Sequence, residues 1–142
     1  MLQKQDGAIR TCVALRTVNM LTKFEGYPLV RIDESLEMLG KAKFLSMIDN
    51  SSAFWSIAMH DDDKEKTAFS TRDGQFQFKR MPFGLKNGTA TYSRAMMHVL
   101  RGLVWKKCII YVDDNVVWGD SQEDHFNSVH QVLKRYSIHN VN

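Results

Sequence analysis

Apolar and polar positions alternate in some stretches of this chain and recur at helical spacing in others. Ala8 to Leu15 (AIRTCVAL) follows an Asp6-Gly7 turn signal, which predicts a strand. In IDESLEMLG, Asp33 is the expected N-cap and Glu34 sits in the first turn. Leu36 and Leu39 share a face, and Gly40 ends the helix. AKFLSMID predicts a strand that runs out at Asp49. KTAFST and QFQFKRM flank Arg72-Asp73-Gly74 and predict a hairpin turning at Asp73-Gly74. Phe76 and Phe78 alternate with polar neighbours, as in a half-buried strand. A helix is expected from about Ala90 to Leu103, with Tyr92, Met96, Val99, Leu100 and Leu103 on one face. KCIIYVDDNVVWG predicts a second hairpin. Ser121 to Asp124 matches a capping box. It opens a final helix whose buried side is expected to carry Phe126, Val129 and Leu133. Strands and helices mix without regular βαβ alternation, so the expected class is α+β, helices packed on an antiparallel sheet.

Composition changes this picture little. A chain of 142 residues, 44% hydrophobic and 25% charged, suits a single domain with a real core. There is no repeat, no low-complexity tract and no Pro- or Gly-rich linker. The net charge of +3 permits an anionic partner without demanding one. Cys12 and Cys108 lie far apart in apolar runs, with no CxxC pair. They are expected as buried thiols in a reducing, intracellular setting. No apolar stretch approaches membrane-spanning length, so a soluble chain with no membrane partner is expected. Core-like sequence begins almost at once after Met1, so the chain reads as cut from a longer one.

The chemistry concentrates at YVDD, Tyr111 to Asp114, between the apolar runs Cys108–Ile110 and Val116–Trp118. Asp is a common turn residue, so Asp113-Asp114 has a plain reading as a hairpin turn. Two features offer another. Apolar flanks place both carboxylates near low-dielectric surroundings, where like charges about 4 Å apart repel by roughly 4 kcal/mol. A site holding both needs a proton or a cation. Asp49 also sits where an apolar strand ends, and if the strands are neighbours three carboxylates converge. Asp114 is expected beside the other two and more exposed than they are. Oxygen-only ligands of this kind suit Mg²⁺ or Mn²⁺. An EF-hand is excluded because Val117 falls where an oxygen donor is required. His60-Asp61-Asp62-Asp63, followed by Lys64, Glu65 and Lys66, reads as a solvated loop of mixed charge. His125 and His130 lie on different helix faces, which points to packing or solvent. There is no P-loop, GxGxxG or nucleophile elbow.

Three blocks in order carry a family likeness: YPLVRIDESLEMLGKAKFLSMID, KTAFSTRDGQFQFKRMPFGLKN and YVDD. From about Asp6 to Leu133 the chain resembles the reverse transcriptase core of gypsy-type LTR retrotransposons, relatives of the retroviral enzymes. The resemblance implies a ferredoxin-like polymerase palm, an antiparallel sheet backed by helices, with a partial fingers subdomain. Residues 1–142 then form one domain, with about 1–30 and 60–85 as fingers-like portions and the remainder palm. It implies that Asp49, Asp113 and Asp114 are catalytic and hold two Mg²⁺ or Mn²⁺ ions. Phe54 matches the position whose ring excludes a 2′-hydroxyl. Lys4 and Arg10 match residues that clamp the triphosphate. Phe83, Gly84 and Leu85 match a segment near the incoming nucleotide and template, and Tyr111 and Val112 belong to the nucleic-acid contact. The implied partners are dNTP, an RNA or DNA template with its primer, and the rest of a pol polyprotein, whose thumb and RNase H this chain lacks. The implied setting is cytoplasmic, including retrotransposon particles.

The chain differs from the family pattern at several places. Ala14-Leu15-Arg16 stand where an acidic residue and its neighbours are usual, and Asn50 replaces leucine. Ala53 replaces glycine, and Trp55-Ser56 replace His-Gln. Gly88-Thr89 replace Ala-Pro, and Asn115 replaces an aliphatic residue. None removes the three aspartates. The expected activity is RNA-directed DNA polymerisation, adding a dNMP to a primer 3′-hydroxyl. The alternative is a catalytically decayed retroelement remnant that keeps the palm fold and binds nucleic acid. A third reading, a metal-binding module unrelated to polymerases, does not account for the order of the blocks.

Overall fold

The computed structural model describes residues 2–3, 9–10, 13–28, 30–40, 42–50 and 53–141, with backbone alone for 2–3 and 9–10. Its centre is a three-stranded antiparallel sheet in the order β3 (Phe44–Asp49), β7 (Asp114–Gly119), β6 (Cys108–Tyr111). Helices α4 (Gly88–Val99) and α5 (Gln122–His139) cover one face. Strand β7 shows why. Asn115, Val117 and Gly119 are buried beneath the helices, while Asp114, Val116 and Trp118 are half-buried on the other face. This period of two is what a strand imposes. On that other face Leu45 and Met47 are largely exposed. The core joins Cys108, Ile110 and Val117 of the sheet to Tyr92, Met96 and Val99 of α4 and to Val132 and Tyr136 of α5. Burial pushes the Cys108 thiol up to about 12, so it stays protonated and apolar in character.

Smaller elements flank this core. A two-stranded ribbon pairs β1 (Leu2–Gln3) with β2 (Ile9–Arg10), and a hairpin pairs β4 (Phe69–Thr71) with β5 (Gly74–Phe76). Helix α1 spans Arg16–Leu21, α2 Ile32–Leu39 and α3 Asp61–Lys64. The predicted strand at 8–15 is thus a two-residue strand followed, from Val13, by coil. The Asp6-Gly7 turn and Cys12 lie outside the described residues. In α3 and the turn after it, Asp61 pairs with Lys64 and Asp63 with Lys66 on the surface, as a solvated mixed-charge stretch should.

Several expectations need correction. The β4–β5 turn falls at Arg72-Asp73 rather than Asp73-Gly74, because Gly74 already pairs with Thr71, and Phe76 is exposed. Arg31, not Asp33, occupies the N-cap of α2. The Asp33 carboxylate is instead taken by the Arg31 guanidinium, at 2.8 and 3.1 Å. Leu36 is exposed, and the buried residue of α2 is Ser35. In α5 the Ser121 cap forms as predicted, its hydroxyl accepting from the Asp124 N–H at 3.2 Å. Its buried stripe, however, is His125, Ser128, Val132 and Tyr136, while Phe126 and Leu133 are exposed. The cause is backbone contact. A Cβ on Gly119 would fall 2.6 Å from the His125 Cα, so the first turn of α5 rests directly on the end of β7. The His125 ring then bonds Ser46 of β3 at 2.9 Å. Backbone contact with β7, rather than hydropathy, thus matches the face that α5 buries.

Two stability predictions follow from β7. Gly119→Ala forces α5 off the sheet and is expected to lower the unfolding free energy by about 1–3 kcal/mol. Asn115 is fully buried and neither side-chain polar atom has a partner. Asn115→Val removes two unpaired groups and suits a strand, so it is expected to raise stability by about 1–2 kcal/mol. Urea denaturation of each variant measures both. A lower midpoint for Asn115→Val would mean that the amide is bonded in solution.

Candidate active site

The two strands β6 and β7 are joined by only two residues, because Tyr111 and Asp114 are cross-strand partners. A connection this tight needs a positive φ at its first position, a place usually given to glycine. Here Val112 supplies it, at φ 57°. For a β-branched residue this costs about 1–3 kcal/mol, and such outliers cluster at functional sites. The turn places Asp113 at the apex, exposed. On the other side of β7, Asp114 pairs in register with Asp49, the last residue of β3. Directly opposed residues project from the same face, so Asp49, Asp114 and Tyr111 share the face of the sheet turned away from α4 and α5.

The convergence expected from sequence is therefore present at the level of the backbone, with two changes. Asp49 lies opposite Asp114 rather than on a strand next to Asp113. Asp114 is half-buried and is the least exposed of the three. Among the described residues, no three Asp, Glu, His or Cys side chains are gathered tightly enough to hold one ion by themselves.

Behind the tip, Asn50 points into the core. Its amide donates to the Tyr92 hydroxyl of α4 at 2.6 Å and to the Tyr136 hydroxyl of α5 at 3.5 Å. Burial, first of all, pushes the Tyr92 phenol up to about 12. The Asn50 bond opposes that shift, and the negative charges of Asp113 and Asp49 add to it. Tyr136 is likewise raised, chiefly by burial. Phe54, half-buried in a 3-10 turn over Ala53–Ser56, packs its ring 5.6 Å from that of Tyr92 and 5.1 Å from that of Phe83. Gly88, at the start of α4, lies beside the ring: a Cβ there would meet it at 3.5 Å, an ordinary contact. A continuous line of side chains thus runs from Phe83 through Phe54 and Tyr92 to the residue following Asp49.

The loop carrying Phe83, Gly84 and Leu85 is held by contacts that the hydrophobic pattern does not reveal. Asn19 of α1 donates to the Gly84 carbonyl at 2.7 Å and accepts from the Lys86 N–H at 2.8 Å. Asn87 accepts from the Glu25 N–H and donates to the Lys23 carbonyl. Arg94 of α4 pairs with Glu25. Phe83 is exposed, Leu85 half-buried and Gly84 has φ 89°. A cavity of about 600 Å³ lies beside the hairpin, lined by Tyr27, Ser93, Trp105, Tyr111 and Val112 among others. Lys4 lies outside the described residues, and of Arg10 only the backbone, in β2, is placed. No helix among the described residues is long and apolar enough to cross a membrane.

Comparison with known proteins agrees with this architecture. Residues 2–142 match the family model described as reverse transcriptase (RNA-dependent DNA polymerase). The chain is 37% identical over 132 residues to the retrovirus-related Pol polyprotein from transposon 297 of Drosophila melanogaster, covering 93% of this chain and 12% of the relative. It is 38% identical over 125 residues to that from transposon gypsy of the same species, covering 88% and 12%. An RNA-directed DNA polymerase homolog of Oenothera berteroana is 31% identical, with 92% and 89% covered. The chain thus spans about an eighth of the two polyproteins. Among solved structures, a foamy viral protease-reverse transcriptase in complex with double-stranded DNA superposes with a TM-score of 0.83 at 26% identity, over 96% of this chain and 24% of that one. The α+β sheet backed by helices is that of a reverse transcriptase palm. Its likeness to the gypsy and 297 polyproteins is consistent with a gypsy-type enzyme, and the chain belongs to the reverse transcriptase family.

Proposed function

We propose that this chain is the fingers–palm core of an RNA-directed DNA polymerase, with about 1–30 and 60–85 as its fingers-like portions. The observation that carries this reading is the pairing of Asp49 with Asp114 on the open sheet face, next to Asp113 at the apex of a strained turn. The tip offers carboxylate oxygens and no imidazole or thiolate, a donor set that fits Mg²⁺ or Mn²⁺. Asp49, Asp113 and Asp114 would hold two such ions, which when bound lower the cost of charge on the attacking 3′-hydroxyl and the leaving pyrophosphate.

The chain's own residues then divide the remaining work. The Phe54 ring, backed by Tyr92 and Phe83, closes the space beside a nucleotide's 2′ carbon and selects dNTP over rNTP. Lys4 and Arg10 neutralise the triphosphate. Phe83, Gly84 and Leu85 border the nucleotide and template, and Tyr111 and Val112 border the primer end. Holding template, primer and nucleotide together can be worth roughly 7–11 kcal/mol of the barrier. The Drosophila polyproteins and the foamy viral protein are far longer than this chain, and the DNA and RNA/DNA hybrid bound to the foamy viral protein support a nucleic-acid partner here.

A second reading, the decayed remnant, is favoured by one observation, the unpaired buried Asn115 beside Asp114. Primer extension separates the two. The 142-residue chain alone is expected to extend a primer poorly, and a chain lengthened through a thumb to extend it well. Asp113→Asn should reduce the longer chain to background. A well-folded, thumb-containing chain that fails to extend would establish the remnant. In the active longer chain, Phe54→Ala is expected to raise the ratio of ribonucleotide to deoxyribonucleotide incorporation. An unchanged ratio returns Phe54 to core packing.

A further inference from the structure

Asn50 is a polar side chain in a core position, only 4% exposed. Burying an amide costs free energy unless it is bonded, and apolar groups filling the same space avoid that cost. Packing alone does not account for an amide here. Its placement does. Asn50 directly follows Asp49 at the end of β3, where strand pairing stops. From there on, β7 no longer fixes the chain. What fixes it is the amide, which donates at 2.6 Å to Tyr92 and at 3.5 Å to Tyr136. Those tyrosines stand on α4 and α5, both fully or almost fully buried. The strand end is therefore tied to both helices at one point.

We infer that the Asn50–Tyr92–Tyr136 cluster is a positioning device that sets the Asp49 carboxylate relative to Asp113 for cation binding. This rests on the reading of those aspartates as metal ligands. A hydrogen bond has direction, which contact between apolar side chains lacks, and sites of this kind tolerate displacements of only about 0.5 Å. Tyr92 is the central member. Its ring backs Phe54, and its hydroxyl lies close enough to the tip to feel the charges of Asp49 and Asp113.

The test separates positioning from stability. In Asn50→Leu combined with Tyr92→Phe and Tyr136→Phe, every polar member leaves at once and the shapes are nearly kept. Removing both sides of buried hydrogen bonds in this way is close to neutral or stabilising. Mn²⁺ alone is titrated into the full 142-residue chain, free Mn²⁺ is read by electron paramagnetic resonance, and all samples are held well below their melting midpoints. The expected result is a thermal midpoint equal to or above that of the parent, with Mn²⁺ affinity lower by on the order of tenfold, the scale of outer partners at metal sites. Tyr92→Phe alone should lower the affinity as well. Asp49→Asn and Asp113→Asn are run alongside. If they weaken binding and the triple variant does not, the positioning role is overturned and the polymerase reading stands. If neither aspartate variant changes Mn²⁺ binding, the metal-ligand reading falls and this inference falls with it.

Discussion

Strand β7 cannot slip, and the site depends on that. Its side chains alternate between a helix-covered face and an open one, so a shift of one residue would carry Asp114 into the core and Asn115 out of it. Three features hold the register. Val117 pairs with Cys108 under the helices, both fully buried. Gly119 admits the backbone of α5 where no other residue fits. The two-residue turn leaves no slack between β6 and β7. Once β7 is set, Asp49 has one partner available, and it is a carboxylate.

The same constraint explains the strain at Val112. A β-branched residue at φ 57° gives up about 1–3 kcal/mol. The hairpin it closes buries Ile109, Ile110 and Val117 almost completely, and each contributes about 1.5–3 kcal/mol. Packing outweighs the turn. A longer, relaxed connection would satisfy the backbone, but it would free Asp113 to move with respect to Asp49. The tight turn keeps the apex carboxylate exposed and fixed together.

What could be read from the sequence follows the range of the interactions. Features decided within a few residues were legible: the Ser121 cap, the hairpin at 69–76 though with its turn one residue earlier than expected, the hairpin around YVDD and the strand ending at Asp49. Features decided by distant backbone were not. Helix α5 carries two stripes, one of Phe126, Val129 and Leu133 and one of His125, Ser128, Val132 and Tyr136. Hydropathy favours the first, yet contact with Gly119 turns the second inward, and of the first only Val129 packs against the core. Helix α1 has no side-chain cap and no buried residue, so nothing in RTVNML announces it. Its evident role lies in Asn19, which grips a loop 65 residues away. The three aspartates stood out because each ends an apolar run. Tyr92 did not, because its ring satisfies a helix pattern and its hydroxyl is explained only by Asn50, 42 residues earlier.

Asn50 and Asn115 make the physical contrast clear. Both are asparagines in the core, and both sit beside an aspartate of the tip. Asn50 lies at a strand end, where two helices can bring hydroxyls to it. Asn115 lies inside the central strand, flanked by Ile48 and Ile110 on its two neighbours, which offer it nothing. A polar group at the edge of a sheet can recruit partners from another layer. Inside the sheet that depends on what the covering helix presents: Ser46 of β3 meets the His125 ring of α5, whereas Asn115 meets no polar group. The amide at position 50 therefore adds a directional tie to the tip, whereas the one at position 115 draws stability from the strand that carries Asp114.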